Sequence, residues 1–183
     1  MNKLETMDFI NINKNSWNAK VDYHLKSDFY FVDEFIAGRT SLNEPELELL
    51  GDIKGKKMLH LQCHFGQDSI SLARMGAEVT AVDLSDKAIV EARILAEKCG
   101  VDVNFIESNV YDLPNVLEEK FDIVFTSYGV IGWLPDLDKW AKIIQRFLKP
   151  NGEFIMVEFH PVIWMFDDDF TKVAYDYQST EPI

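Results

Sequence analysis

Between Lys57 and Phe159, short apolar runs alternate with segments of helical spacing, and this alternation restricts the fold more than anything else in the chain. Runs at 58–62, 78–82, 102–106, within FDIVFTSYGV (121–130) and at EFIMVEF (153–159) read as five strands. Segments 68–75, 86–98 and 137–148 read as helices, the second stopped by Gly100 and the third by the KPNG turn. Short strands separated by helices imply parallel pairing through right-handed crossovers. The expectation is therefore an α/β fold with a doubly wound, mostly parallel sheet. Such sheets bind ligands above the carboxyl ends of the strands, where the strand order reverses.

The first strand-to-helix turn reads Gln62-Cys63-His64-Phe65-Gly66. Turns of this kind normally carry several glycines, which permit the tight bend and keep side chains out of a ligand's path. Here Gln62 and His64 stand in place of glycines, and only Gly66 remains. A G-x-G-x-x-G dinucleotide fingerprint is absent, so a diphosphate cofactor fits poorly. A cofactor without a phosphate needs only a few backbone contacts there. Asp83 follows the second strand directly and can accept both hydroxyls of a ribose; the competing role is a helix cap, for which Ser85 is better placed. His60, Cys63 and His64 match no usual metal-ligand spacing, and a buried, hydrogen-bonded His60 is expected instead. Cys63 and Cys99 belong at opposite ends of the sheet and are not expected to pair.

Taken in order, LHLQCHFGQ, VTAVDLS, FIESNVYDLP, FDIVFTSYGV and LKPNGEFIMVEF resemble the five motifs of the class I S-adenosylmethionine-dependent methyltransferases. The resemblance covers residues 57 to 159, with a glutamine-cysteine-histidine variant of the first motif. It implies a small-molecule methyltransferase using S-adenosylmethionine by direct in-line transfer. Leu61, Gln62 and Gly66 would then line the methionine end, Asp83 would bind the ribose, and Leu84 would pack on the adenine. Asn109 and Val110 would sit at the adenine edge, and the backbone near Thr126 and Ser127 would face the methionine amino group. His60 departs from the family's usual acidic residue, and Asn109 from a common aspartate. Tyr128 and His160 follow the fourth and fifth strands and are the candidate catalytic residues, His160 as a general base. The competing function is a catalytically silent S-adenosylmethionine-binding or interaction module.

Lys and Arg total 18 against 31 Asp and Glu, a formal charge of -13, which repels phosphate backbones and anionic membranes. The expected partner is a small methyl acceptor, with no nucleic acid and no membrane, in a cytoplasmic setting. Residues 1–50, rich in spread-out aromatics, are expected to form a helical cap, 51–160 the cofactor-binding core and 161–183 a tail. The resembling sheet has seven strands, so the last two are expected to be missing, as in a truncated form. The fifth strand would then be an open edge through which two copies could associate. In the tail, Val173, Tyr175 and Tyr177 alternate as an exposed strand would, and DDD at 167–169 reads as a solvated turn.

Overall fold

The computed structural model describes residues 8–167 and 169–178. Three helices come first: α1 (Phe9–Lys26), α2 (Val32–Ile36) and α3 (Glu44–Leu50). The alternating part follows as β1 (Lys57–Leu61), α4 (Gln67–Arg74), β2 (Glu78–Asp83), α5 (Asp86–Cys99), β3 (Asn104–Glu107), β4 (Phe121–Ser127), α6 (Leu137–Phe147) and β5 (Leu148–Val157). All pairings are parallel and the order is β3-β2-β1-β4-β5, so the switch point falls between β1 and β4. This is the doubly wound sheet expected, with five strands among the described residues and not seven.

Local chemistry explains the boundaries. Ser85 caps α5 by accepting from the Ala88 N–H at 3.0 Å, and Gly100 ends it in the left-handed region at φ 66°. Asp136 caps α6 through the Lys139 N–H at 2.8 Å. Pro45 lies in the first turn of α3 and Gly51 closes it at φ 55°. β1 is buried on both faces because successive side chains alternate. Met58 packs with Phe35, Phe65, Ile70, Ile89 and Phe125, on the side of α2, α4 and α5. Leu59 and Leu61 pack with Val124, Trp140, Ile144 and Phe147, on the side of α6.

Two expectations change. The KPNG turn does not precede the last strand; it is absorbed into β5, with a register shift between Phe121 and Ile123 and Asn151 at φ 64°. An edge strand accommodates such a bulge because only one neighbour must be matched. Residues 173–177 form no strand, and only an isolated antiparallel bridge links Phe166 to Val173. Asp167 diverts the chain there by accepting from the Thr171 and Lys172 N–H groups, at 2.8 and 3.3 Å, which supports a turn in place of a ladder. Asp168 and the last five residues lie outside the described region.

Gly66 is where the fold meets the loop. Its φ is 81°, and a Cβ would stand 2.8 Å from the Phe105 ring and 3.0 Å from the Ala92 Cβ. The missing side chain thus makes room for α5 and β3 packing. Gly66→Ala should cost at least about 2 kcal/mol, combining left-handed strain with overpacking. Denaturant titration checks this, and an unchanged midpoint would contradict it.

Candidate functional site

A cavity of about 860 Å³ opens at the carboxyl ends of the strands. Its floor is the loop after β1, its sides are the segments after β2, β3 and β4, and α1 lies across it with Ile10, Asn13 and Trp17. α1 is held there by polar contacts. Asn13 donates to the Trp133 carbonyl at 2.8 Å, Lys14 pairs with Glu107 at 2.7 Å, and Asn18 donates to Asp86 at 2.9 Å. Trp17 packs edge-on against Trp133, with ring centres 5.3 Å apart.

The loop has the backbone of a glycine-rich turn without the glycines. Gln62 and His64 stand at φ 53° and 51°, and Gly66 at 81°, so every second residue is left-handed. Non-glycine residues pay for this conformation in strain, which concentrates at functional sites. The Asp83 carboxylate holds the arrangement: Oδ2 accepts from the His64 N–H at 2.7 Å and Oδ1 from the Ser85 N–H at 2.8 Å. Burial pushes the Asp83 carboxyl up, against the opposing pull of its backbone donors. Two of the roughly four acceptor positions of the carboxylate are used in this way.

The side chains of the loop diverge. Gln62 reaches the cavity wall with both amide atoms buried and without a hydrogen-bond partner. The His64 ring turns up to α1, its Nε2 2.9 Å from His24 Nδ1 and its centre 5.1 Å from that of Trp17. His60 is buried and hydrogen-bonded, as expected, with Nδ1 2.8 Å from Ser69 Oγ, while its Nε2 has no partner. Burial holds the His60 ring down at about 4 and the His64 ring at about 3, with His24 and Lys20 further opposing a charge on His64.

Of the residues singled out from sequence, Gln62, Gly66, Asp83, Leu84, Asn109, Val110, Ser127 and Tyr128 line this cavity together. Three do not. Leu61 belongs to the core, and the Thr126 hydroxyl is buried and directed at the Leu61 carbonyl, 3.4 Å away. His160 is exposed, and its Nδ1 accepts from the Val162 N–H at 3.2 Å, capping the turn that Pro161 begins. His160 is thus absent from the residues that line the cavity and occupies the hinge position at the start of this turn. Asn109 caps the turn after β3, its Oδ1 accepting from the Tyr111 N–H at 3.1 Å. Burial, with Glu46 beside it, pushes the Tyr128 phenol up to about 12, so it is a proton donor in hydrogen bonds at neutral pH. Cys63 and Cys99 are both free.

Other residues of the site were not anticipated. Glu158 accepts from the Gly129, Val130 and Ile131 N–H groups and fixes the loop after β4, as Asp83 fixes the loop after β1. Its position at the carboxyl end of a strand, like that of Asp83, was a usable signal. Asp68, in the first turn of α4, accepts from the Ser127 hydroxyl at 2.7 Å. Glu46 is fully buried, with Oε1 3.3 Å from Asn43 Nδ2, and that amide also lies 3.3 Å from the Tyr128 hydroxyl. Nothing in EPELELL distinguishes it from a solvated glutamate.

Two expectations concern this loop. Gln62→Gly should leave stability unchanged or raise it by up to about 1 kcal/mol, because relief of left-handed strain offsets the entropy of glycine. His64→Gly should lower stability by about 1–2 kcal/mol through loss of the aromatic packing on α1; effects of the same sign at both positions would contradict this division. The buried neutral histidines also set an acid limit. The unfolded chain binds their protons from about pH 6.5 downward, whereas the folded chain does so only near the depressed values of about 4 and about 3. Stability should therefore fall as pH falls through that interval, with Asp83, shifted the other way, opposing the loss. Denaturation midpoints of the wild type and His64→Asn between pH 7 and 4 provide the check. The variant should show a shallower decline, and parallel curves would exclude His64.

Residues 52–180 match a family described as a methyltransferase domain. An uncharacterized methyltransferase of Synechocystis sp. is 33% identical over 133 residues, covering 72% of this chain and 60% of that protein. A ubiquinone biosynthesis O-methyltransferase of Alkalilimnicola ehrlichii is 32% identical, covering 59% of this chain and 43% of that protein. The chain thus spans about half the length of these curated relatives. Among solved structures, DhpI in complex with SAH superposes with a TM-score of 0.62 at 21% identity, covering 88% of this chain and 71% of that one. A TehB-like SAM-dependent methyltransferase from Corynebacterium glutamicum gives 0.60 at 19%, covering 75% and 72%. The family match spans most of the chain, and the chain belongs to the methyltransferase-domain family.

Proposed function

We propose that the protein is an S-adenosylmethionine-dependent methyltransferase acting on a small molecule. The observation that carries this is Asp83: a carboxylate fixed by two backbone N–H groups at the end of β2, with acceptor capacity left over on the cavity wall. A ribose diol fits that capacity. The left-handed loop suits an amino-acid end, and the unpartnered Gln62 amide and His60 Nε2 supply groups for it to satisfy. Leu84 and Val110 offer apolar surface for a purine, while Asn109 keeps part of its amide for hydrogen bonding.

When bound, this cofactor supplies a methyl group already activated on a sulfonium. The chain's own residues then orient the reactants and exclude water. Tyr128, held at φ 41° and protonated at neutral pH, donates toward an acceptor and does not act as a base. With His160 outside the cavity, neither candidate supplies a free base, which favours catalysis by positioning. Trp17, Phe29, Tyr30, Phe31, Trp133 and Trp164 bound the space beyond the loop and favour an apolar or aromatic acceptor. The formal charge of -13 disfavours a nucleic-acid acceptor. No described helix is long and apolar enough to cross a membrane. β5, with Phe154 and Met156 exposed, is the open edge along which two copies would associate.

The test is calorimetry with S-adenosylhomocysteine and NAD. The wild type should bind the former and not the latter. Asp83→Ala should weaken binding by about 1.5–3 kcal/mol, the range for hydrogen bonds to a charged group. Full affinity in a folded Asp83→Ala protein would overturn the ribose assignment. Tight binding of NAD would overturn the cofactor class.

A further inference from the structure

We propose that Asp68 holds the ammonium group at the methionine end of the cofactor, supplying the negative charge that the first motif lacks at His60. This rests on the reading of the cavity as an S-adenosylmethionine site. Asp68 lines that cavity from the first turn of α4, directly beyond the left-handed loop. It accepts a single side-chain hydrogen bond, from Ser127 Oγ at 2.7 Å. None of the ion pairs among the described residues includes it.

The groups around Asp68 are neutral. Asp68 lines the cavity together with His60 from β1, Tyr30 from the segment before α2 and Tyr128 after β4, where three parts of the chain converge. His60 stays uncharged at neutral pH, and both phenols are held protonated at about 12. A half-buried carboxylate with one hydroxyl donor and no ion-pair partner keeps acceptor capacity for a cationic ligand group.

A second feature points to the same place. His60 is 2% exposed and lies on the wall of this cavity, and its Nε2 has no partner. Gln62, beside it, has both an unused acceptor and an unused donor. An α-amino acid end presents an ammonium with three donors and a carboxylate with only acceptors. Asp68 and Gln62 Oε1 match the first, and Gln62 Nε2 matches the second. The acidic function has moved from the end of β1 to the start of α4, where the helix dipole also favours an anion.

The test separates an ammonium contact from a latch between α4 and β4. Binding of S-adenosylhomocysteine and of 5′-methylthioadenosine, which lacks the amino and carboxyl groups, is measured on wild type, Asp68→Asn and Ser127→Ala. Asp68→Asn keeps shape and hydrogen bonding but removes the charge. It should weaken S-adenosylhomocysteine by ~10–100-fold, the equivalent of a charge-assisted hydrogen bond, and leave methylthioadenosine within about twofold. Ser127→Ala, which keeps the carboxylate, should cost less than about threefold. Equal weakening of both ligands, or equal effects of the two substitutions, would make the pair a latch and overturn the proposal. So would unchanged affinity in Asp68→Asn, even with Asp83 essential for binding. A wild type that binds methylthioadenosine but not S-adenosylhomocysteine would overturn the proposal alone; binding neither would remove the underlying site.

Discussion

The site depends on one carboxylate. Asp83 joins the loop after β1 to the start of α5 by accepting an N–H from each, and these are neighbours across the sheet but far apart in the chain. Without that bridge, nothing else described holds the His64 backbone N–H, and the left-handed angles at Gln62 and His64 would be free to relax. Glu158 does the corresponding task on the other side of the switch point, gathering three N–H groups of the loop after β4. Two acidic residues at strand ends therefore give both walls of the cavity a fixed backbone. Charged acceptors suit this task because their hydrogen bonds are stronger than neutral ones.

The strand alternation made the sheet legible, because a short apolar run between helices has few alternatives. Strand limits were close for β1, β2 and β4, whereas β3 begins at Asn104, later than its apolar pattern suggested, and β5 begins at Leu148, ahead of its own. Asp83 and Ser85 were also separable from sequence, since only one of them stands where a cap must be. Side-chain direction was not legible. Thr126 and Ser127 are adjacent in β4, and alternation sends one hydroxyl inward to Leu61 and the other to Asp68. His160 lies three residues past β5, and Pro161 starts a turn that engages its Nδ1. The burial of Glu46 comes from packing between elements, which no local pattern encodes.

The loop without glycines has an explanation in the cap. His64 pays strain in its backbone and recovers it through contacts of its ring with His24, Trp17 and Phe65, at centre distances of 5.0, 5.1 and 4.5 Å. A glycine there would remove one apolar foothold of α1 over the cavity and leave the Trp17–Trp133 contact. Gly66 cannot be replaced in the same way, because its missing side chain faces Phe105 and Ala92 and not the cap. The variant motif thus couples the cofactor loop to the helix that covers it, through a neutral histidine pair.

The central claim is that Asp83 keeps its two backbone bonds and offers its remaining acceptors to a ribose. A crystal structure with S-adenosylhomocysteine bound tests it most directly. The account predicts the ribose hydroxyls on Asp83, with the His64 and Ser85 N–H bonds retained and the loop still left-handed at Gln62 and His64. A ligand whose ribose lies away from an unmoved Asp83, or one that binds only after the His64 bond breaks, would contradict it.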